Sequence, residues 1–157
     1  MTSSNAEPDD IPGWQRLDGA ITTSGRLQAG DVARLAAIGV RHVINLALAD
    51  SPGALADEAA LLAAQGIAYS HIPVPFDAPE AAHFTAFCAA LDDAQRPIHV
   101  HCIANWRVSA FFYRYHRDVL GMDEAQARAL MAQQWSPDSH DHPAAPQWAR
   151  LIGLTRP

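Results

Sequence analysis

Short β-branched runs alternate with helical stretches along most of this chain, and that alternation restricts the fold more than any other feature. Ala20-Ile21-Thr22-Thr23, Val40 to Leu46, Ile67 to Ile72 and Pro97 to His101 read as strands, each set off by Gly, Ser or Pro turn signals. Between them, Val32, Leu35 and Ile38 fall on one helical face, with Asp31 as the expected N-cap and Gly39 as the stop. Leu55 to Gln65 is a second helix, ended by Gly66. A third runs from about Glu80 to Ala94 and carries Phe84, Phe87, Cys88 and Leu91 on one stripe, which makes Cys88 a core residue. Beyond the last strand, helices are expected from Val108 to about Asp118, from Met122 to Gln134 and from Ala144 to Leu154, with a polar linker before the last. Strands and helices in this order imply βαβ units, right-handed crossovers and a mostly parallel sheet.

A length of 157 residues fits a single domain. Residues 1–13 are polar, acidic and Pro-containing and read as a flexible tail, leaving 14–157 as the domain. The net charge of −6 argues against nucleic-acid or membrane partners, because both require a basic face; it leaves room for a local anion pocket. No run approaches the roughly 18 apolar residues of a membrane span, and the N-terminus has neither the basic nor the apolar region of a secretory signal. Two cysteines, Cys88 and Cys102, are too few for a disulfide framework and do not form a Cys-x-x-Cys motif, so a reducing, cytoplasmic setting is expected. The sequence carries no signal for an oligomeric state.

The segment Pro97-Ile-His-Val-His101-Cys102-Ile-Ala-Asn-Trp-Arg107-Val-Ser109 concentrates the chemistry. A strand runs into a loop and the loop into a helix, and ligands of open α/β sheets bind beyond the carboxyl ends of strands. Backbone N–H groups of such a loop, with the helix N-terminus, form an anion cradle. A cysteine at its first position faces a positive field that favours the thiolate nucleophile. Arg107 can hold two anion oxygens at once, and Ser109 can donate a hydrogen bond to the sulfur. Asn105, at the middle of the loop, tolerates left-handed backbone better than most residues. Trp106 either lines the pocket or packs against Trp135. Eight histidines invite a metal site, yet His99 and His101 on one strand face and His140 and His142 in a polar loop have nothing linking them, so neither a metal nor another cofactor is expected. Arg114, His116 and Arg117 read as a solvent-facing basic patch.

His101-Cys102, the short loop, Arg107 and Ser109 resemble the signature loop of protein tyrosine and dual-specificity phosphatases. The order of the blocks Ile21-Thr-Thr-Ser-Gly25, Gly39 to Leu46 and Gly66 to Val74 is similar to the bacterial branch of that superfamily labelled phosphatase-like or beta-lactamase-hydrolase-like, over roughly residues 18–152. The resemblance implies a three-layer α/β fold with a mostly parallel sheet of four to five strands. It implies hydrolysis of a phosphate monoester, phosphotyrosine or a small phosphoester, through a phosphocysteine. Cys102 is then the nucleophile, Arg107 the phosphate clamp, Asp77 the proton donor and His101 a support behind the loop. Ile103, Ala104, Asn105, Trp106, Val108 and Ser109 form the phosphate-binding loop, and the partner is a phosphate-containing substrate or another small oxyanion. One feature departs from the phosphatase pattern, which has five residues between cysteine and arginine; here there are four. That spacing is shared with rhodanese-type sulfurtransferases, whose loop cysteine carries a persulfide. Sulfur transfer through Cys102 therefore stands as an alternative, as does an anion-binding module without turnover. Asp77 also has a plainer reading, as a cap for the helix that follows.

Overall fold

The structure, a computed structural model, describes residues 7–154. Five strands form one sheet: β1 (Gln15–Asp18), β2 (Ile21–Ser24), β3 (His42–Asn45), β4 (Ala68–His71) and β5 (Ile98–His101). Their order is β1-β2-β5-β3-β4, and every neighbouring pair is parallel except β1 with β2. Six α-helices accompany them: α1 (Ala29–Ala37), α2 (Glu58–Ala64), α3 (Ala81–Asp93), α4 (Trp106–Arg114), α5 (Glu124–Ala132) and α6 (Ala145–Ile152). The expected α/β fold with a mostly parallel sheet is the one adopted.

The pleat of the central strands divides the interior into two cores. Ile44, Ile98 and Val100 point to one face, where they pack with Phe84, Phe87 and Leu91 of α3, Phe111 of α4, Met131 of α5 and Trp148 of α6. Val43 points to the other face and packs with Val32 and Leu35 of α1 and Leu62 of α2. His99 and His101 alternate with Ile98 and Val100 along β5, so both imidazoles turn away from the larger core.

Several local expectations change. β1 was not foreseen; it pairs back on β2 through the Asp18-Gly19 turn, with Gln15 opposite Thr23. Helix α1 starts earlier than its apolar stripe indicates. Gln28 is its N-cap, and Asp31 sits three residues inside as the reciprocal half of a capping box, its carboxylate accepting the Gln28 amide at 2.9 Å. Helix α2 begins only at Glu58, because Asp57 adopts a left-handed conformation with φ of 59°. Helix α4 begins at Trp106, two residues before the expected start, and ends in a π-helical turn over Tyr115–Val119.

The basic patch expected at Arg114, His116 and Arg117 does not face solvent as a unit. His116 is buried, and burial pushes its imidazole below the ordinary range. The guanidinium of Arg114 lies 4.3 Å over the Phe84 ring and that of Arg117 lies 4.9 Å over Tyr113. The flexible tail expected over residues 1–13 does not hold for residues 7–13, whereas 1–6 lie outside the described residues. Ile11 is buried in the smaller core, and the Pro12 carbonyl accepts the Gly25 amide at 2.6 Å. No helix among the described residues is long and apolar enough to cross a membrane.

Candidate active site

Strand β5 delivers the chain to the site. His101 is its last residue, held in register by the Leu46 amide donating to the His101 carbonyl at 2.9 Å, and Cys102 follows, 1% exposed. The loop then doubles back so tightly that its floor is other backbone. The Arg26 amide donates to the Ile103 carbonyl at 2.9 Å, and a Cβ on Gly25 would stand 2.5 Å from that same oxygen. Only glycine admits this approach. Asn105 closes the turn with φ of 67°, the left-handed backbone that its residue type suggested. Its side-chain Nδ2 donates to the Gly13 carbonyl at 2.7 Å and to Thr23 Oγ1 at 3.0 Å, fastening the loop to the N-terminal segment and to β2.

The result is a run of unpaired backbone donors. The backbone amides of Ile103, Ala104 and Asn105 donate to no acceptor among the described residues. Those of Trp106, Arg107 and Val108 belong to the first turn of α4 and have no intrahelical acceptor. The Ser109 amide is the first to pair, with the Asn105 carbonyl at 2.9 Å. Helix dipole and free amides together favour an anion at this end of α4.

A cavity of about 160 Å³ opens over the loop, lined by Phe76, Cys102, Ile103, Ala104, Trp106, Arg107 and His142. That is several times the ~30 Å³ share of one water molecule. Arg107 is 7% exposed; one guanidinium nitrogen donates to the Val74 carbonyl at 2.8 Å, which fixes the side chain beside the cavity. The guanidinium also stands 6.0 Å from the Phe76 ring centroid. Aromatic rings make the walls. Trp106 stacks on Trp135 with centroids 4.9 Å apart and planes 6° off parallel, the Trp135 indole donates to the Trp106 carbonyl at 2.9 Å, and the Trp148 indole donates to the Phe76 carbonyl at 2.7 Å.

Behind the loop lies a buried polar chain. His101 Nε2 meets a Glu58 carboxylate oxygen at 2.5 Å, and His101 Nδ1 lies 3.2 Å from the Cys102 carbonyl. Asn45 donates to the other Glu58 oxygen at 3.2 Å and to the Tyr69 hydroxyl at 3.1 Å, while its own carbonyl oxygen accepts the Ala47 amide at 2.9 Å. The neighbouring His99 is fully enclosed, with Thr22 Oγ1 and Ser24 Oγ each 2.8 Å from one ring nitrogen and Trp14 stacked on it at 5.3 Å. Burial, with the nearby His101, holds His99 well below the ordinary imidazole range.

The expected residues thus divide. Cys102, Ile103, Ala104, Trp106 and Arg107 converge on one cavity, and His101 stands behind it. Asn105 lies beneath the loop. Val108 is fully buried in the larger core. Ser109 does not reach the sulfur: its hydroxyl donates to the Trp106 carbonyl at 3.2 Å, because the helix already includes this residue and turns it away. Asp77 is exposed and is not on the cavity wall; its neighbour Phe76 is. Cys88 sits at the margin of the core rather than inside it, its thiol pushed up by burial. No cluster of three or more metal-binding side chains occurs among the described residues. Phe76, His142, Glu58 and Asn45 were not foreseen. Phe76 had a signal, as the single large aromatic in a Pro-rich stretch leading to Asp77; Glu58 had none beyond its place near a helix start.

A profile of the family described as beta-lactamase hydrolase-like protein, phosphatase-like domain, matches residues 15–113. No curated protein matches the chain. Among solved structures, a phosphatase-like protein from Shewanella putrefaciens CN-32 has a TM-score of 0.78 and 28% identity, over 93% of this chain and 94% of its own. P. aeruginosa TpbA, as a cysteine-to-serine variant in complex with phosphotyrosine, has a TM-score of 0.69 and 22% identity, over 90% of this chain and 87% of its own. The core catalytic domain of the S. cerevisiae PP-IP phosphatase SIW14, in complex with citrate, gives 0.72 and 14%, over 93% and 87%. At these identities the last two share the fold.

Proposed function

The chain belongs to the family of beta-lactamase hydrolase-like, phosphatase-like domains, and from that premise we propose that it hydrolyses phosphate monoesters with Cys102 as nucleophile and Arg107 as the phosphate clamp. One observation carries the reading: Cys102, the fixed Arg107 side chain, and Ile103 and Ala104 with their unpaired backbone amides line the same small cavity. In the first step the Cys102 thiolate attacks phosphorus, a sulfur–phosphorus bond forms, and the bond to the ester oxygen breaks. That oxygen leaves with the electron pair and takes up a proton. In the second step water attacks phosphorus, the sulfur–phosphorus bond breaks, and thiolate and inorganic phosphate result. The amides of the loop and Arg107 meet the charge that gathers on the phosphoryl oxygens, where preorganised donors contribute most. TpbA holds phosphotyrosine in its structure, and a phosphorylated aromatic side chain is compatible with a cavity walled by Phe76 and Trp106.

The four-residue spacing between Cys102 and Arg107 does not pull the arginine away from the cavity, and the family match favours phosphoryl over sulfur transfer. The test is release of para-nitrophenol from para-nitrophenyl phosphate by the wild type beside Cys102→Ser. Turnover that disappears in the variant is expected. Turnover that survives it removes Cys102 as nucleophile; stabilisation by phosphate with no turnover reassigns the site as an anion-binding module.

A further inference from the structure

Hydrolysis at Cys102 leaves one task without an owner: stabilising the oxygen that departs. The aspartate expected to do so, Asp77, stands in solvent off the cavity wall, and no carboxylate among the described residues lines that wall. Apart from Cys102 and Arg107, the ionisable side chain that does line it is His142, which comes from the segment between α5 and α6.

The local backbone decides what His142 can do. The Ala144 amide donates to His142 Nδ1 at 3.0 Å, so that nitrogen is an acceptor and the neutral ring carries its proton on Nε2. His142 is exposed, as Asp77 is, but its ring packs edge-on against Phe76, centroids 4.8 Å apart and planes at 86°. Phe76 is itself anchored, its carbonyl taken by Trp148. The adjoining His140 repeats the device, its Nδ1 accepting the His142 amide at 3.2 Å while its ring packs edge-on against Trp106. The polar segment between α5 and α6 is thereby fastened to the two aromatic walls of the cavity, and the His142 imidazole is left with an N–H donor and a fixed tautomer.

We propose that His142, rather than Asp77, contacts the substrate, donating a hydrogen bond from Nε2–H to an oxygen of the bound phosphate ester. The inference rests on the reading of Cys102 and Arg107 as a phosphate site. His142 in this state gives a hydrogen bond and keeps its proton: the leaving oxygen departs as an anion and is protonated by water. Such a site favours esters of acidic hydroxyls, such as phenols with a pKa of about 10 or below, over alkyl esters.

Binding of inorganic phosphate, followed by calorimetry, tests the contact without requiring turnover. His142→Ala is expected to weaken phosphate binding roughly ten-fold or more, as loss of a hydrogen bond to a charged group does. His142→Gln, which offers an amide N–H near the same position, is expected to recover most of it, and Asp77→Ala is expected to bind like the wild type. Wild-type affinity in His142→Ala, or no recovery in His142→Gln, overturns the assignment. A wild type that binds no phosphate overturns the phosphate site and this contact together. Turnover of aryl phosphates of graded phenol acidity supplies the second arm. A rate that falls steeply with weaker phenols, with the same slope in Asp77→Asn, is expected; a shallow dependence that steepens in Asp77→Asn makes Asp77 the proton donor and refutes the proposal. If His142-dependent phosphate binding is seen but no Cys102-dependent turnover, the contact stands and the hydrolytic reading falls.

Discussion

Replacing Gly25 with alanine probes how the reactive loop is supported. The added Cβ would meet the Ile103 carbonyl oxygen at 2.5 Å, the Pro12 carbonyl oxygen at 3.0 Å and the Ile103 carbonyl carbon at 3.2 Å. All three are backbone atoms, so no side chain can swing aside. Ordinary contact requires the Ile103 carbonyl to retreat by about 1 Å, and a misplacement of that size near reacting atoms costs on the order of 10²-fold in rate. The retreat also strains two hydrogen bonds, Arg26 amide to Ile103 carbonyl at 2.9 Å and Gly25 amide to Pro12 carbonyl at 2.6 Å. Overpacking of this kind costs about 1–3 kcal/mol. For a chain of this size about 2 kcal/mol corresponds to a Tm lower by roughly 4–8 °C. Thermal melts and kcat/KM on para-nitrophenyl phosphate, with Gly19→Ala as the control because nothing lies within 4 Å of its added Cβ, give the measurement. Gly25→Ala with wild-type Tm and wild-type kcat/KM refutes the idea that backbone beneath the loop sets its shape.

Three further outcomes are expected. At Asn105, alanine should destabilise more than glycine by about 1 kcal/mol, because both lose the bonds to Gly13 and Thr23 but only alanine pays for the left-handed backbone; equal denaturant midpoints would show that φ is irrelevant there. Glu58→Ala should cost about 3 kcal/mol in chemical denaturation, since it leaves the buried His101 and Asn45 without their shared partner, and a variant as stable as wild type would show the pair to be dispensable. His99, His116 and His42 are all held below the ordinary 6.5, chiefly by burial. The unfolded chain therefore binds protons that the folded chain excludes, and stability should fall as pH drops below 6.5, by up to about 1.4 kcal/mol per pH unit per group. His99→Gln should flatten that slope by close to one group's share between pH 5 and 6.5; an unchanged slope means His99 is not among the groups responsible.

What the sequence revealed and what it hid follow from the range of the interactions involved. The strands β2 to β5, the helices between them and the strand–loop–helix passage at Cys102 are legible because each is written in a dozen neighbouring residues. Asn105 is legible too, since its tolerance of positive φ belongs to the residue itself. Strand β1 escaped because Gln15-Arg16-Leu17-Asp18 lacks β-branched residues; it is held by pairing with β2 and by Gln15 Nε2 donating to the Leu130 carbonyl at 2.9 Å. The rest was hidden by distance along the chain. Glu58 and His101 are 43 residues apart, and Val74 and Arg107 are 33 apart. Ser109 misled for the opposite reason: its spacing from Cys102 was right, but the early start of α4 rotates its hydroxyl toward Trp106.

The link from Asn105 to Gly13 spans 92 positions of sequence. Contacts this remote are costly to close, because more than half of the chain lies between their ends. The shape of the reactive loop therefore depends on a contact that no local stretch of sequence can make. Shortening the chain to begin after Gly13 would keep every strand and helix, yet it takes away Ile11 from the smaller core together with the stay that steadies the anion cradle, so the trimmed protein melts earlier and binds phosphate poorly.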